Sequence, residues 1–458
     1  MDFAQNIPAS SRSSMETGGR GLAAPGLGLI FMDRLRGTND GEVLSGDDPV
    51  IAAPGMDAVA IGGVDRIAAR GGDDIVRGDA DVSAGAFRMS TLFGADDAIF
   101  GGQGDDLIFG DGTVSVGSNG TAKLVGGNDL MTGGPGDDVM YGDGTISSAF
   151  ARGELTGGDD ILKGGSGDDY MSGDGTTSIG RTSSLLIGGN DGLSGSSGND
   201  TILGDGRSER IDGGRDLLLG GSGDDLMLGD GEAFATLDGG ADTLLGGSGA
   251  DTMYGDGTAT VLLIGPADLE GGDDLVRGGS GGDLMFGDGT VQGAGFGGTL
   301  TGGDDMLLGH AGNDTIYGDG TVVSADTATL TGGDDTLRGG AGNDMLWGDG
   351  TVQATGPGAE VLEGGADVFR FGTNDGLDTL MDFRVADADR VDLRFTGLDW
   401  SDLDSDGSGT LGGADDFVAI LGTDTRLDLG AAAAGPAGTD TVTFAGVLGL
   451  EEDSFVFG

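Results

Sequence analysis

The stretch GGDDTLRGGAGNDMLWGDGT, residues 332–351, packs seven glycines into twenty positions and sets Leu337, Leu346 and Trp347 among acids. It is too glycine-rich for a helix and too charged for an ordinary core. Yet it recurs along the chain, and the recurrence decides how it is read. Two nonapeptides alternate. Type A is represented by LTGGDDTLR at 330–338, and type B follows at once as GGAGNDMLW at 339–347. Type B begins at 101, 133, 164, 195, 220, 246, 278, 309 and 339. Its sixth residue is always aspartate: Asp106, Asp138, Asp169, Asp200, Asp225, Asp251, Asp283, Asp314 and Asp344. Its eighth is always Ile, Met or Leu. Each copy runs into a Gly-Asp-Gly carrying Asp111, Asp143, Asp174, Asp205, Asp230, Asp256, Asp288, Asp319 or Asp349. Type A has its own sixth-position acids: Asp97, Asp129, Asp160, Asp191, Asp216, Asp242, Asp274, Asp305, Asp335 and Asp367. Successive Gly-Asp-Gly aspartates are unevenly spaced, Asp205 and Asp230 standing closest and Asp111 and Asp143 among the farthest apart. A variable stretch before the next type A absorbs the differences.

Composition excludes several classes. Glycine makes up 104 of 458 residues, but with no Gly-X-Y period and only 8 prolines the chain is not collagen. Acids outnumber bases 78 to 22, giving a formal charge of −56. Such a polyanion repels itself and is a poor partner for nucleic acid or an anionic membrane surface; cations are its natural ligands. Low aromatic content with this charge is the composition of a chain that stays disordered unless something neutralises it. There is no cysteine, so disulfides and thiolate metal sites are excluded.

Each nonapeptide reads as a turn followed by a very short strand. Glycines allow positive φ and close backbone approach, and the apolar eighth residue points inward. One unit buries almost nothing, but stacked units form continuous columns of Leu, Ile and Met. Stacking also brings aspartates of neighbouring coils together. A hard divalent cation with oxygen ligands removes the resulting repulsion, and carboxylates with glycine carbonyls suit Ca²⁺ better than Mg²⁺. With no cysteine and His310 the only histidine, zinc is disfavoured.

This pattern resembles the RTX nonapeptide Gly-Gly-x-Gly-x-Asp-x-U-x, U being a large apolar residue; GHAGNDTIY at 309–317 and GGAGNDMLW at 339–347 are near-complete copies. The resemblance implies an all-β chain, a right-handed parallel β-roll or β-solenoid of nonapeptide pairs with a small β-rich C-terminal cap. It also implies that the position-six aspartates bind several Ca²⁺ ions with help from turn carbonyls. The period departs from the family's usual one. A usual coil is two nonapeptides and nothing more, whereas here a further stretch is added to every coil and the period is near 31. The expectation is one edge of tight A-to-B calcium turns and an opposite edge of irregular, mobile loops running from Gly-Asp-Gly to the next Leu. TVVSADTATL at 321–330, with its mixed Thr and Val, is a candidate to extend strands there instead.

Three regions follow: residues 1–68 as an irregular capping segment, 69–370 as the roll, and 371–458 as cap and export region. DRLRGTNDGEVLSGDD at 33–48 hints at a degenerate repeat. MDFAQNIPASSRSS lacks a basic segment followed by an apolar one, and GLAAPGLGLIFM is too short and glycine-rich to span a bilayer. Neither an N-terminal signal nor an anchor is expected. The region from 364 and the ending EEDSFVFG resemble the C-terminal portion of type I secretion substrates. Within it, DLDSDGSGTLGG at 402–413 resembles an EF-hand loop, with Asp402, Asp404, Asp406 and Gly407 at positions 1, 3, 5 and 6 but Gly413 where a Glu belongs. Asp415 or Asp416 is the candidate substitute.

No catalytic set emerges. His310 stands where a turn glycine is usual, and GGSGG at 278–282 matches a nucleophile elbow only as a type B turn. The resemblance therefore implies a secreted, extracellular or cell-surface calcium-binding protein of structural kind (matrix, surface-layer or adhesin-like), not an enzyme. It would be exported by a type I apparatus, with cell-surface glycan or self-association as candidate partners. An accessory module acting beside polysaccharide, or a cryptic extracellular hydrolase, stays open as the alternative.

Overall fold

A computed structural model describes residues 33–148, 152–177, 184–261, 265–294, 297–433 and 435–458. The two N-terminal stretches quoted above, within residues 1–32, lie outside them. The chain forms two compact units, divided between Ser196 and Ser197.

In the first unit each coil has three strand-bearing faces. The first face stacks Arg34–Arg36, Arg66–Gly71, Ala98–Gln103, Leu130–Pro135 and Ile161–Ser166 in parallel, with Leu130 opposite Ile161 and Met131 opposite Leu162. The second stacks the type B strands Leu107–Phe109, Val139–Tyr141 and Tyr170–Ser172 on Val43–Ser45 and Ile75–Arg77. The third carries two strands per coil, such as Gly144–Ser148 and Arg152–Thr156, each paired in parallel with its equivalent one coil on. The eighth-position residues build the core: Ile99, Met131 and Leu162 on one face, and Ile108, Met140 and Met171 on the next, all fully buried or nearly so.

The second unit repeats this plan. Its first face runs Leu217–Ser222, Thr243–Ser248, Leu275–Ser280, Met306–Ala311, Thr336–Ala341, Val368–Arg370 and Arg390–Asp392; its second runs from Thr201–Leu203 to Leu377–Leu380. Two coils are short, the one that leads from Thr201 to its partner Leu226 and the one that leads from Leu226 to Thr252. Both lose residues only on the third face. There the paired strands merge into single ones, Gly206–Asp212 and Gly231–Asp238, which pair with a bulge between Ser208 and Arg210. Outside the second face an aromatic column, Tyr254, Phe286, Tyr317 and Trp347, stacks ring on ring at 4.8, 4.8 and 4.4 Å.

Beyond the glycine-rich coils the first and second faces are continued by plainer sequence. Phe455–Val456 pairs in parallel with Val391 and Asp392. Thr441–Phe444 pairs in parallel with Leu377–Leu380, then antiparallel with the hairpin strand Asp424–Asp428. Phe369, Phe383, Phe444 and Phe455 fill the space behind them. Helix is confined to short segments such as Trp400–Leu403 and Leu429–Ala432, so no helix among the described residues is long and apolar enough to cross a membrane.

The all-β parallel solenoid with a period near 31 is as the repeat implies. The irregular loop edge is not. TVVSADTATL becomes Gly320–Ser324 and Ala328–Thr331, joined by a short arc. Val322 and Leu330 face inward and are fully buried, which gives this stretch a core-facing period of two and makes it a third wall of the roll.

The glycine positions leave little room for change. Gly247 has φ of +111°, and a Cβ there would fall against the carbonyl of Gly221 in the preceding coil. We expect Gly247→Ala to cost about 1–3 kcal/mol from backbone strain alone, and the core truncation Leu244→Ala about 2–5 kcal/mol. Urea unfolding in saturating calcium measures both; a Gly247→Ala chain as stable as the parent contradicts this geometry.

Candidate metal centre

Every type A, type B and Gly-Asp-Gly aspartate named above is buried. In each unit they form three columns, each built by stacking. In the type A column the backbone N–H of each aspartate donates to Oδ1 of the aspartate one coil on: Asp97 to Asp129 at 2.6 Å and Asp129 to Asp160 at 2.6 Å in the first unit, and Asp242 to Asp274 at 2.6 Å and Asp305 to Asp335 at 2.8 Å in the second. The type B column does the same, as from Asp106 to Asp138 and from Asp283 to Asp314. Residues at position five donate the other way. Asp137 N–H reaches back to Asp105 Oδ1, and Asp304 N–H back to Asp273 Oδ1. Gly-Asp-Gly aspartates stack through their backbones, Asp230 N–H donating to the Asp256 carbonyl at 2.7 Å. Except at Asp143, their carboxylates accept from the second glycine of the next type A turn, as Asp288 does from Gly303 at 2.9 Å and Asp319 from Gly333 at 2.8 Å.

The Gly-Asp-Gly and type A turns of a coil lie side by side there, and their carboxylates form triads. Carboxylate oxygens of Asp111, Asp129 and Asp143 lie within 4.8 Å of one another, and so do those of Asp143, Asp160 and Asp174, and of Asp205, Asp216 and Asp230. Each triad takes a type A aspartate and the Gly-Asp-Gly aspartates on either side of it. These clusters therefore stand on the side where the sequence points to long loops, and the type B aspartates keep to a column of their own.

The donor set suits a hard cation. Oδ2 of Asp97, Asp129, Asp160, Asp242, Asp274, Asp305, Asp335 and Asp367 is buried with no hydrogen-bond partner, and so are both carboxylate oxygens of Asp143. Unmet buried oxygens on charged groups are costly. Burial, reinforced by neighbouring carboxylates, drives Asp129, Asp143, Asp230 and Asp256 well above the usual carboxylate range. Asp97 is pushed up to about 9 by burial and by Asp79. In the type B column burial raises Asp106 and Asp225 to about 7 and Asp138 to about 6. A divalent ion against these oxygens would satisfy them and reverse the shifts. Asp129 with Asp111 and Asp143, and each equivalent triad, would hold it.

The EF-hand-like loop is arranged differently. Asp402 turns back to accept from Asp399 N–H and caps the short helix Trp400–Leu403. Asp404 and Asp406 both accept from Ser408 N–H, and Asp415 accepts from Asp406 N–H, so Asp415 joins the loop. His310 is exposed, with φ of +73°.

Sequence reading missed acids at both ends. Asp65, Asp74 and Asp79 continue the columns, and Asp47 completes a triad with Asp65 and Asp79. Their signal was present: Asp65, Asp74 and Asp79 have the same spacing as Asp97, Asp106 and Asp111, but Gly-Asp-Ala replaces Gly-Asp-Gly. Asp378, Asp382 and Asp389 extend the columns of the second unit, where the intervals change and that spacing is broken.

A family model described as the RTX calcium-binding nonapeptide repeat matches residues 60–82, 93–112, 125–145, 155–176, 188–215, 212–233, 236–259, 300–320 and 324–350. No curated protein matches the chain.

The raised carboxyls fix a pH dependence. Each holds its proton more tightly folded than unfolded, so in chelator folding takes up protons. That contribution is complete below the unfolded value of 3.8 and is lost as pH rises through about 6 to 9. Chelated protein should show more β structure at pH 4 than at pH 8 by far-UV circular dichroism, and calcium should remove the difference. A chelated chain more ordered at pH 8 contradicts this.

Proposed function

The chain belongs to the RTX family of calcium-binding nonapeptide-repeat proteins, and from that premise we propose that it is an extracellular structural or surface protein whose rolls fold when calcium fills the carboxylate triads. The observation that carries this reading is the run of buried, unpartnered carboxylate oxygens repeated from coil to coil. No catalytic group is assigned: the reading gives the molecule's chemistry to cation binding, and its output is a rigid, regular surface.

The physical logic is linkage. Calcium binds the stacked triads and not the extended chain, so its binding free energy becomes folding free energy and grows with free concentration. Ordering glycine-rich turns costs about 1–2 kcal/mol per residue, and one inward aliphatic residue per nonapeptide does not offset that alone. Extracellular calcium modules bind at about 10⁻⁴–10⁻³ M. At the far lower free calcium of a cytosol the chain would stay open and pass a type I export channel. It would fold outside, where a matrix, surface layer or adhesive coat is the natural setting.

The test is a calcium titration of the full chain followed by far-UV circular dichroism, with magnesium as control. A cooperative rise in β signal with calcium and little with magnesium is expected; a full signal in excess chelator, unchanged by millimolar calcium, rejects the reading. Asp230→Ala removes a triad carboxylate and should raise the calcium midpoint by about tenfold if about 1.4 kcal/mol of site energy is lost; Asp225→Ala and Asp314→Ala should raise it too, by breaking the ladder bonds from Asp200 and Asp283 N–H. His310→Gly should not raise it.

A further inference from the structure

The carboxylate column of the second unit ends in an unusual way. Asp256, Asp288 and Asp319 each keep a buried Oδ2 that no hydrogen bond reaches. At the next position Asp349 Oδ1 accepts from Gly365 N–H at 2.7 Å, and its Oδ2 lies 3.7 Å from Nη1 of Arg384. Arg384 is threaded through the corner. Its backbone N–H donates to Asp389 Oδ2 at 2.6 Å, while Asp389 Oδ1 accepts from Asp367 N–H. Asp382, in the place of a Gly-Asp-Gly aspartate, accepts from Gly348 N–H at 2.7 Å and from Asp349 N–H. The guanidinium also reaches Asp387 at 3.4 Å. One permanent cation thus pairs with Asp349 and Asp387, and its own backbone is tied to Asp389. Among the described residues, Asp230, Asp256, Asp288 and Asp319 have no such ion pair.

The same substitution of arginine for an outside cation recurs beyond this corner. Arg338 meets Asp375 at 3.3 Å, and the fully buried Asp392 is held between Arg370 and Arg394 at 3.5 and 2.6 Å.

We propose that Arg384 is the column's resident cation: its guanidinium stands where a calcium ion stands in the preceding coils and ends the row of metal sites at Asp349. Arginine stays protonated at any working pH and can bridge several carboxylates with its fixed fork of donors. The Asp349 carboxylate then has a positive partner without calcium, and the coil before it is the first to need the ion. This rests on the calcium reading above.

Equilibrium dialysis of radioactive calcium against the full-length chain, read alongside circular dichroism, tests it. Arg384→Gln should bind one more calcium ion per chain than the parent, reach the full β signal at saturating calcium, and need more calcium to reach half of it. Arg384→Lys, which keeps a cation, should bind the parent's number. The proposal is overturned if Arg384→Gln binds the parent's number, or never reaches full signal at saturating calcium, or if Arg384→Lys also gains an ion. A parent chain that binds no calcium overturns the calcium reading and this proposal together; an unchanged Arg384→Gln beside a calcium-binding parent overturns this one alone.

Discussion

Carboxylates stacked at the coil spacing, with no base beside them, are the constraint that the rest of the structure answers to. Strands in a sheet lie about 4.8 Å apart. At that separation two unit charges repel by about 3 kcal/mol even at an effective dielectric constant of 20. Burying one Leu or Met returns about 1.5–3 kcal/mol. The apolar columns and the acidic columns are therefore of similar strength and opposite sign. The roll is poised, and a cation decides it. Where the chain supplies arginine instead, as around Asp392, the carboxyl is held below its usual range by Arg394, and no such dependence arises.

Much of this was legible because the two nonapeptides keep their offsets. Position six and position eight announce ligand and core residue in every complete copy, and the structure buries both sets. The third wall was harder to see. Its strands vary in length, and inward positions such as Ala259, Val291, Gly298 and Leu300 mix small and large residues, so no single motif repeats. The pairing of Gly-Asp-Gly with type A aspartates depends on that wall, since only a completed coil brings Asp111 and Asp129 to one corner. At the C-terminal end the acids carry no glycine signature at all. Asp382 and Asp389 hold their places through backbone hydrogen bonds that a motif search does not see.

Coil length can change without disturbing the columns. The two short coils of the second unit, leading from Thr201 to Leu226 and on to Thr252, keep both nonapeptides whole and shorten only the third wall. Insertions between the two strands of that wall, as at the arc after Ser324, leave every carboxylate where it was. Variation is admitted at one place on the circumference and excluded from the rest.

The opposed aspartate ladders have a mechanical consequence. Position-six amides reach forward to the next coil and position-five amides reach back, so the coil boundaries inside a unit are tied in both directions by short bonds. Adjacent boundaries share no bonds beyond their common coil. Tension along a unit therefore loads each boundary in turn, and the weakest opens first. One detached coil of about 31 residues pays out about 100 Å of chain at ~3.4 Å per residue. Extended by its ends, such a unit behaves as a stack of latches that yield in near-equal increments, each absorbing work before the next engages.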